Sequence, residues 1–232
     1  MTSQAIILDQ RFANQEATSP SLFSSICGHP FLHYQLLYLS NNLFDQIIIL
    51  YTENKDKFLT AFGEEYLGMK LIYLPYDSDK GQNANIFSAL EYISKPWFFI
   101  FHAHQYFRLN INKATNFRRM RDARIINIGK NNDNFYLKSE LIFINEKGRI
   151  INIITQGETE KTDTFNTDTW LVNKATFVQS ISSSKFSSLF DFFSGLYKEQ
   201  KMYCLSCRQY FIRINNNTDL EKASHDFEEN YF

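Results

Sequence analysis

Two histidines that are two residues apart, His102 and His104, are the side chains whose type and spacing first suggest chemistry. They stand at the end of the predicted strand 97–102, and alternate residues of a strand face the same side. Two imidazoles on one face can hold Zn²⁺ or another transition metal. A third ligand would come from Asp77, Asp79 or Asp168. The alternative, which the sequence favours, is two polar residues at a strand exit that are satisfied by local hydrogen bonds.

A second chemical pattern is the Cys-x-x-Cys pair formed by Cys204 and Cys207. Such a pair can do redox or metal chemistry. Here it lies in an alternating strand-like run (MYCLSCRQYF), and the third cysteine, Cys27, stands far from it in the sequence. The pattern therefore favours a structural role for the pair, and an odd cysteine count fits a reducing compartment.

The elements that must position these residues alternate between strands and helices in the first half of the chain. Runs that are apolar on both faces indicate a buried parallel sheet. The predicted strands are 5–8, 45–51, 70–74 and 97–102, and the predicted helices are 30–43, 55–66 and 83–93. This order requires right-handed crossovers, and ligands are expected at the carboxyl ends of the strands.

The second half changes character but shows no clean domain boundary. Its predicted strands are 124–129, 140–145, 149–155, 169–173 and 203–214, and its predicted helices are 113–121, 186–201 and 219–231. The segments 140–145 and 149–155 are predicted to form a hairpin. Thr218 is the predicted N-cap of the last helix. We therefore predict one Rossmann-like α/β domain over residues 1–232, with a mixed, mostly parallel sheet flanked by helices.

Composition excludes several classes of function. The chain has 24 Lys and Arg against 25 Asp and Glu, so it lacks the basic excess of a nucleic-acid binder. No apolar stretch approaches the ~18 residues that span a bilayer, and no signal peptide opens the chain. We therefore expect a cytoplasmic protein that contacts neither nucleic acid nor the membrane interior.

Five strings, in the right order, resemble the sugar-1-phosphate nucleotidyltransferases that make GDP-heptose, GDP-mannose or dTDP-glucose. The family begins AIILAGG-x-GTR and continues with PKP and GKPFL; this chain has AIIL at 5–8, Pro20, and GHPFL at 28–32. The remaining family strings are NGD-x-YF, NAGVYL and YFIDIGTPEDY, which match 102–107, 166–171 and 210–220. The resemblance covers nearly the whole chain and implies a fold of the nucleotidyltransferase or glycosyltransferase-A type.

The resemblance also implies that the catalytic groups of the family are missing. The family's glycine-rich loop brings backbone N–H groups to a triphosphate, but here residues 9–15 (DQRFANQ) contain no glycine. The basic residue of PKP is replaced by Ser21, and the two Mg²⁺ carboxylates by His104 and Arg213. A cation in a magnesium position repels the metal, so we expect that Mg²⁺ binding is lost and assign no catalytic residue.

What the resemblance leaves is a candidate ligand pocket. The positions that map to it are Arg11, Lys80, Gln82, His104, Asn166 and Arg213. Its cations could form an anion site that needs no metal, with Arg213 as a fixed counter-charge to a phosphate of a nucleotide or nucleotide sugar. The alternative is that each is a solvated charge on a loop or rim.

The sequence thus predicts a catalytically inactive nucleotidyltransferase-like protein. The resemblance implies a regulatory, scaffold or ligand-sensing subunit in sugar-nucleotide or surface-polysaccharide (lipopolysaccharide) biosynthesis, as a homo-oligomer or paired with an active homologue. The other hypothesis is an active sugar-1-phosphate nucleotidyltransferase, or a related transferase, with a rebuilt site that uses a metal at His102 and His104.

Overall fold

Strands and helices alternate through most of the computed structural model, which describes residues 3–9, 20–52, 54–131, 140–154, 164–181, 189–198 and 201–230. Its strands are β1 (Ser3–Leu8), β2 (Ser25–Ile26), β3 (His29–Pro30), β4 (Phe44–Tyr51), β5 (Glu65–Tyr66), β6 (Met69–Pro75), β7 (Trp97–His102), β8 (Gln105–Phe107), β9 (Ile125–Asn131), β10 (Leu141–Ile144), β11 (Ile150–Ile154), β12 (Thr164–Asn173), β13 (Met202–Cys207) and β14 (Phe211–Arg213). Its helices are α1 (Phe31–Asn41), α2 (Lys55–Phe62), α3 (Gly81–Ala89), α4 (Ile111–Arg121), α5 (Lys174–Ile181), α6 (Leu189–Leu196) and α7 (Asn217–Asn230).

The first half of the chain forms the parallel part of the sheet, which confirms the predicted fold class. β1 lies between β4 and β7 and is parallel to both, and β6 continues the parallel order beyond β4. Helices cover both faces of such a sheet, so its central strands are apolar throughout. In β1, Ile6 and Ile7 point to opposite faces and are both completely buried.

β12 connects this parallel part to the rest of the sheet. It runs antiparallel to β7 and β10 and, on its other edge, antiparallel to β9, to which β13 adds in parallel. The predicted hairpin of the second half is present as β10 and β11. The sheet therefore runs β11-β10-β12-β7-β1-β4-β6-β5, with β9 and β13 branching from β12.

The predicted strand 203–214 is wrong as a single element. It is divided into β13, which pairs with β9, and β14, which pairs with β8 in a separate two-stranded sheet. The chain leaves the large sheet after Cys207 and crosses to β8, which the sequence did not predict as a strand. β13 and β14 are short and close together in the sequence, so their alternating patterns resemble one continuous strand.

Helix ends also differ from the prediction. The helix predicted over 55–66 ends at Phe62 because Gly63 adopts a positive φ of 68°, after which β5 pairs back on β6. The last helix begins one residue earlier than the predicted cap, and Asn216 accepts a hydrogen bond from the backbone N–H of Asp219. The predicted helix 186–201 is α6 within the described residues.

Apolar side chains fill both faces of the large sheet. Alternate residues of β1 divide between the two cores, with Ala5 and Ile7 in one and Ile6 and Leu8 in the other. A third apolar cluster, which includes Tyr106, packs the small β8–β14 sheet against α7. No helix within the described ranges is long and apolar enough to cross a membrane.

Candidate functional site

The carboxyl ends of β1 and β7 bring Asp9 and His104 together. Leu8 pairs with His102, so the chain leaves both strands at the same level. Nε2 of His104 lies 3.5 Å from Oδ1 of Asp9, and both side chains are buried. Thr52 donates to Oδ2 of Asp9 from its backbone N–H at 3.1 Å and from its hydroxyl at 3.2 Å. Thr52 thus holds Oδ2 of Asp9 by two hydrogen bonds, whereas Oδ1 only lies near the His104 ring.

His102 is buried beside a different set of charges. Burial lowers the pKa of its imidazole to about 4; Asp168 acts in the opposite direction, and Arg213 and His104 lower the pKa further. The ring is therefore neutral at pH 7. Its backbone carbonyl accepts a hydrogen bond from Nε2 of Gln35 at 3.1 Å, which fixes the end of β7.

The two histidines do not gain a third metal ligand among the described residues, which contain no group of three His, Cys, Asp or Glu side chains placed to hold an ion. Of the expected third ligands, Asp77 pairs with Lys80 at 3.0 Å and Asp168 with Arg213 at 3.1 Å. Binding of a transition metal at the histidine pair stays a prediction.

Asp168 and Arg213 form the central ion pair of the site. Nη2 of Arg213 lies 3.1 Å from Oδ2 of Asp168, and each side chain is only 15% exposed. Asp168 has a φ of 54°, a left-handed conformation that is uncommon outside glycine. It lies where β12 shifts register against β9, between Asn166 and Thr169. Such an irregularity redirects a side chain, and here the carboxylate meets β14.

Asn166 positions Asp168 and connects it by hydrogen bonds to Glu140 and Asn127. Its Nδ2 donates to Oδ1 of Asp168 at 2.7 Å and to Oε2 of Glu140 at 3.4 Å. Its Oδ1 accepts from Nδ2 of Asn127 at 2.7 Å and from the backbone N–H of Asp168 at 2.9 Å. This predicted ligand residue is completely buried, and its amide group positions the carboxyl groups of Asp168 and Glu140.

Glu140 is the other carboxyl group of the cluster, and the sequence placed it only at the start of a strand. Burial raises its pKa to about 7, and the neighbouring Asp168 adds to the rise. One carboxyl is thus paired with a cation, while the other is partly protonated near neutral pH. Nothing local marks Glu140, because its burial comes from strands that are distant in sequence.

The remaining predicted ligand residues lie outside this cluster or outside the described residues. Lys80 is exposed and pairs with Asp77 in a short 3₁₀ turn. Gln82 is buried, and its Oε1 accepts a hydrogen bond from the backbone N–H of Leu189 at 2.7 Å, which ties α3 to α6. Arg11 lies outside the described residues.

The Cys-x-x-Cys pair packs in two different places. Cys204 belongs to the core on one face of the sheet and Cys207 to the core on the other. Burial raises the pKa of the Cys204 thiol to about 12 and that of the Cys207 thiol to about 11. Both thiols are therefore protonated at neutral pH, as expected for apolar packing.

Comparison with known proteins gives the same fold. No family model matches the chain. It is 24% identical over 221 residues to D-glycero-alpha-D-manno-heptose 1-phosphate guanylyltransferase of Aneurinibacillus thermoaerophilus, covering 95% of both chains. The structure of HddC from Yersinia pseudotuberculosis aligns with a TM-score of 0.79 and 20% identity over 97% of this chain and 100% of that one.

Two further solved structures carry ligands of their own. HddC complexed with GMP-PN aligns with a TM-score of 0.78 at 20% identity, over 97% of this chain and 100% of that one. UDP-glucose pyrophosphorylase complexed with UDP-glucose aligns with a TM-score of 0.80 at 12% identity, over 99% of both chains. The predicted resemblance to sugar-1-phosphate nucleotidyltransferases is therefore confirmed, and the chain has their fold.

Proposed function

We propose that this chain, which has the fold of the sugar-1-phosphate nucleotidyltransferases, binds a nucleotide or nucleotide sugar without catalysing nucleotidyl transfer. The observation that carries the proposal is the ion pair of Arg213 with Asp168, each side chain only 15% exposed. The resemblance implies that Arg213 takes the place of a carboxylate that would hold Mg²⁺. Asp168 fixes the position of this guanidinium through the ion pair.

The two replaced metal positions argue against a magnesium site. Mg²⁺ demands oxygen ligands in near-octahedral geometry, usually one or two carboxylates plus phosphate oxygens. At these positions the chain offers the guanidinium of Arg213 and the imidazole of His104, whose Nε2 faces Asp9 at 3.5 Å. Neither group supplies an oxygen, so the metal-assisted departure of pyrophosphate has no support from them.

The same positions support anion binding without a metal. Arg213 supplies a guanidinium, whose planar fork of N–H donors suits phosphate oxygens. The candidate ligand residues remain Arg11, Lys80, Gln82, His104, Asn166 and Arg213. Of these, Asn166 acts through Asp168 and Glu140. That HddC has been solved with GMP-PN supports a nucleotide as the ligand class to test first.

We place the protein as a regulatory, scaffold or ligand-sensing subunit in sugar-nucleotide or surface-polysaccharide (lipopolysaccharide) synthesis. It would act in the cytoplasm as a homo-oligomer or beside an active homologue. Adding this chain to purified heptose-1-phosphate guanylyltransferase from A. thermoaerophilus tests the pairing: we expect co-elution on size exclusion or a changed rate.

The deciding experiment measures pyrophosphate release. The purified chain is incubated with each of GTP, CTP, UTP, ATP and dTTP, paired with a sugar 1-phosphate, in the presence of Mg²⁺; the A. thermoaerophilus enzyme is the positive control. We expect no release above background. Turnover at ordinary enzyme rates would contradict the proposal and favour the alternative of a rebuilt site. Zinc in elemental analysis, lost on replacing both His102 and His104, would place that site at the histidines.

A parallel measurement tests binding. A ligand at 100 times its Kd stabilises the folded state by about 2.7 kcal/mol, or roughly 5–10 °C in a chain of this size. We expect such a shift with at least one nucleotide or nucleotide sugar, equal with and without Mg²⁺. A shift that requires Mg²⁺ would show that the metal site is intact, and no shift would leave only a scaffold.

A further inference from the structure

Four glutamines are buried in the described parts of the chain, and three of them brace the backbone. Their bonds are Gln4 Oε1 with the N–H groups of Ser94 and Lys95, Gln35 Nε2 with the carbonyl of His102, and Gln82 Oε1 with the N–H of Leu189. A buried amide that binds backbone groups in this way has an evident structural function.

Gln105 is the exception. It is 2% exposed, and neither its Oε1 nor its Nε2 has a hydrogen-bond partner among the described residues. Leaving a buried donor and acceptor unpaired is costly, and such groups in a native structure call for an explanation. Packing alone does not supply one, because leucine would fill a similar volume without that cost.

The position of Gln105 connects this amide to the candidate site. In the small sheet, Gln105 of β8 lies directly opposite Arg213 of β14. Residues directly opposite each other in an antiparallel pair point to the same face, with Cβ atoms about 4.5–5.5 Å apart. The next cross-strand pair on the same face is Phe107 and Phe211, whose ring centroids are 5.5 Å apart.

We propose that Gln105 and Arg213 together form a recognition unit for a sugar phosphate, in which Gln105 reads a sugar hydroxyl. A hydroxyl both donates and accepts, which matches the Oε1 and Nε2 of one amide. The neighbouring guanidinium selects an anion on the same ligand. The inference rests on the proposed function, and it adds a residue that determines ligand specificity.

The test compares two identical substitutions, Gln105→Leu and Gln4→Leu. Gln4→Leu removes a brace at the far end of β1 and should lower the Tm of the free protein by several degrees. Gln105→Leu removes an unpaired amide and should leave the Tm unchanged or raise it. A fall in Tm as large as that of Gln4→Leu would show that the amide has a structural partner, and would overturn the proposal.

The binding arm uses glucose 1-phosphate, mannose 1-phosphate, UDP-glucose and GDP-mannose, with inorganic phosphate as the anion control. We expect Gln105→Leu to bind the sugar phosphate that the natural chain prefers about tenfold more weakly, and inorganic phosphate equally well. Gln4→Leu should bind both like the natural chain. Whether a free sugar phosphate or a nucleotide sugar is preferred distinguishes the two sources of the ligand.

The outcomes separate this inference from the proposed function. Equal sugar-phosphate binding by the natural chain and Gln105→Leu overturns the inference alone, and would leave an ordered water as the partner of the amide. No binding of any probe by the natural chain overturns both the inference and the ligand-sensing function. Pyrophosphate release, measured separately, contradicts only the proposed absence of catalysis.

Discussion

Asp168 combines two features that would each be unfavourable alone. A non-glycine residue with a φ of 54° is strained, and a carboxylate beside Glu140 meets like charge. Both are offset by Arg213, which supplies a counter-charge at 3.1 Å. The sequence contains both replacements, aspartate in the family's NAG string and arginine in its IDIG string. Their contact could not be predicted, because it depends on the register shift in β12.

The first prediction concerns this pair. Asp168→Asn or Arg213→Met should each lower the free energy of unfolding by about 1–3 kcal/mol, since each leaves a partly buried charge without its partner. The double variant should lose clearly less than the sum of the two. Urea unfolding of all four proteins measures the coupling. Additive losses would mean that the two charges do not interact.

The second prediction concerns pH. The pKa of Glu140 is raised to about 7 by burial, so the folded state holds its proton more tightly than the unfolded state. Its contribution to stability is complete below pH about 4.5 and is lost as the pH rises through about 7. Glu140→Gln should therefore lose less stability than the natural chain between pH 5 and pH 8. Equal losses in both proteins would contradict this sign.

His102 provides the opposite sign in the same cluster. Its pKa is lowered to about 4 by burial, so stability falls as the pH drops below the ordinary value of 6.5. His102→Asn should flatten the acid side of the profile, where Glu140→Gln should steepen it. The two variants therefore act as controls for each other in one set of unfolding curves.

At the scale of elements, the sequence predicted buried strands well and their partners poorly. Parallel strands such as β1 and β4 are apolar on both faces, and that pattern is unambiguous. β13 and β14 appear as one run, because the pattern does not show that the chain changes sheets after Cys207. β8 is only three residues long, so its role in positioning Gln105 and His104 was not visible.

The close packing of β9 between β12 and β13 gives a prediction for Gly129. A Cβ at this position would lie 2.4 Å from Cγ2 of Thr164 and 2.7 Å from Sγ of Cys204. Gly129→Ala should therefore cost about 1–3 kcal/mol, as overpacking does. Thr164→Ser, which removes the Cγ2 atom, should recover part of the loss in the double variant. Thermal unfolding measures it, and an unchanged Tm for Gly129→Ala would show that the strands can separate.

At the scale of the whole molecule, one large sheet lies between the two main apolar cores and contributes side chains to both. Predicting the fold class from sequence succeeded because element order and local strings agree along nearly all of the chain. Of the predicted site residues, His104 follows the carboxyl end of β7, whereas Arg213 lies in the separate β8–β14 sheet and reaches Asp168 of β12. Asn127, Glu140 and Gln105 were missed, because their place beside the candidate site depends on burial by distant strands.

A single sheet that runs through both cores should unfold as one unit. The two tryptophans are Trp97 and the completely buried Trp170, whose ring lies 4.0 Å from that of Phe193. In Trp97→Phe, fluorescence reports on Trp170 alone, while far-UV circular dichroism reports on the whole chain. We expect coincident urea midpoints for the two signals. Separated midpoints would indicate two cooperative units and contradict the predicted single domain.

The ion pair of Asp168 and Arg213 also restricts how descendants of this chain can change. Reverting Arg213→Asp alone would gather three carboxyl groups in one buried place, with Asp168 and Glu140. Reverting Asp168→Gly alone would remove the backbone strain at the positive φ, but it would leave the guanidinium of Arg213 without its counter-charge. Each single change is therefore expected to destabilise the folded chain, and even the two together would leave His104 at the other magnesium position. The two positions are therefore expected to be epistatic, because the effect of a change at one depends on the residue at the other.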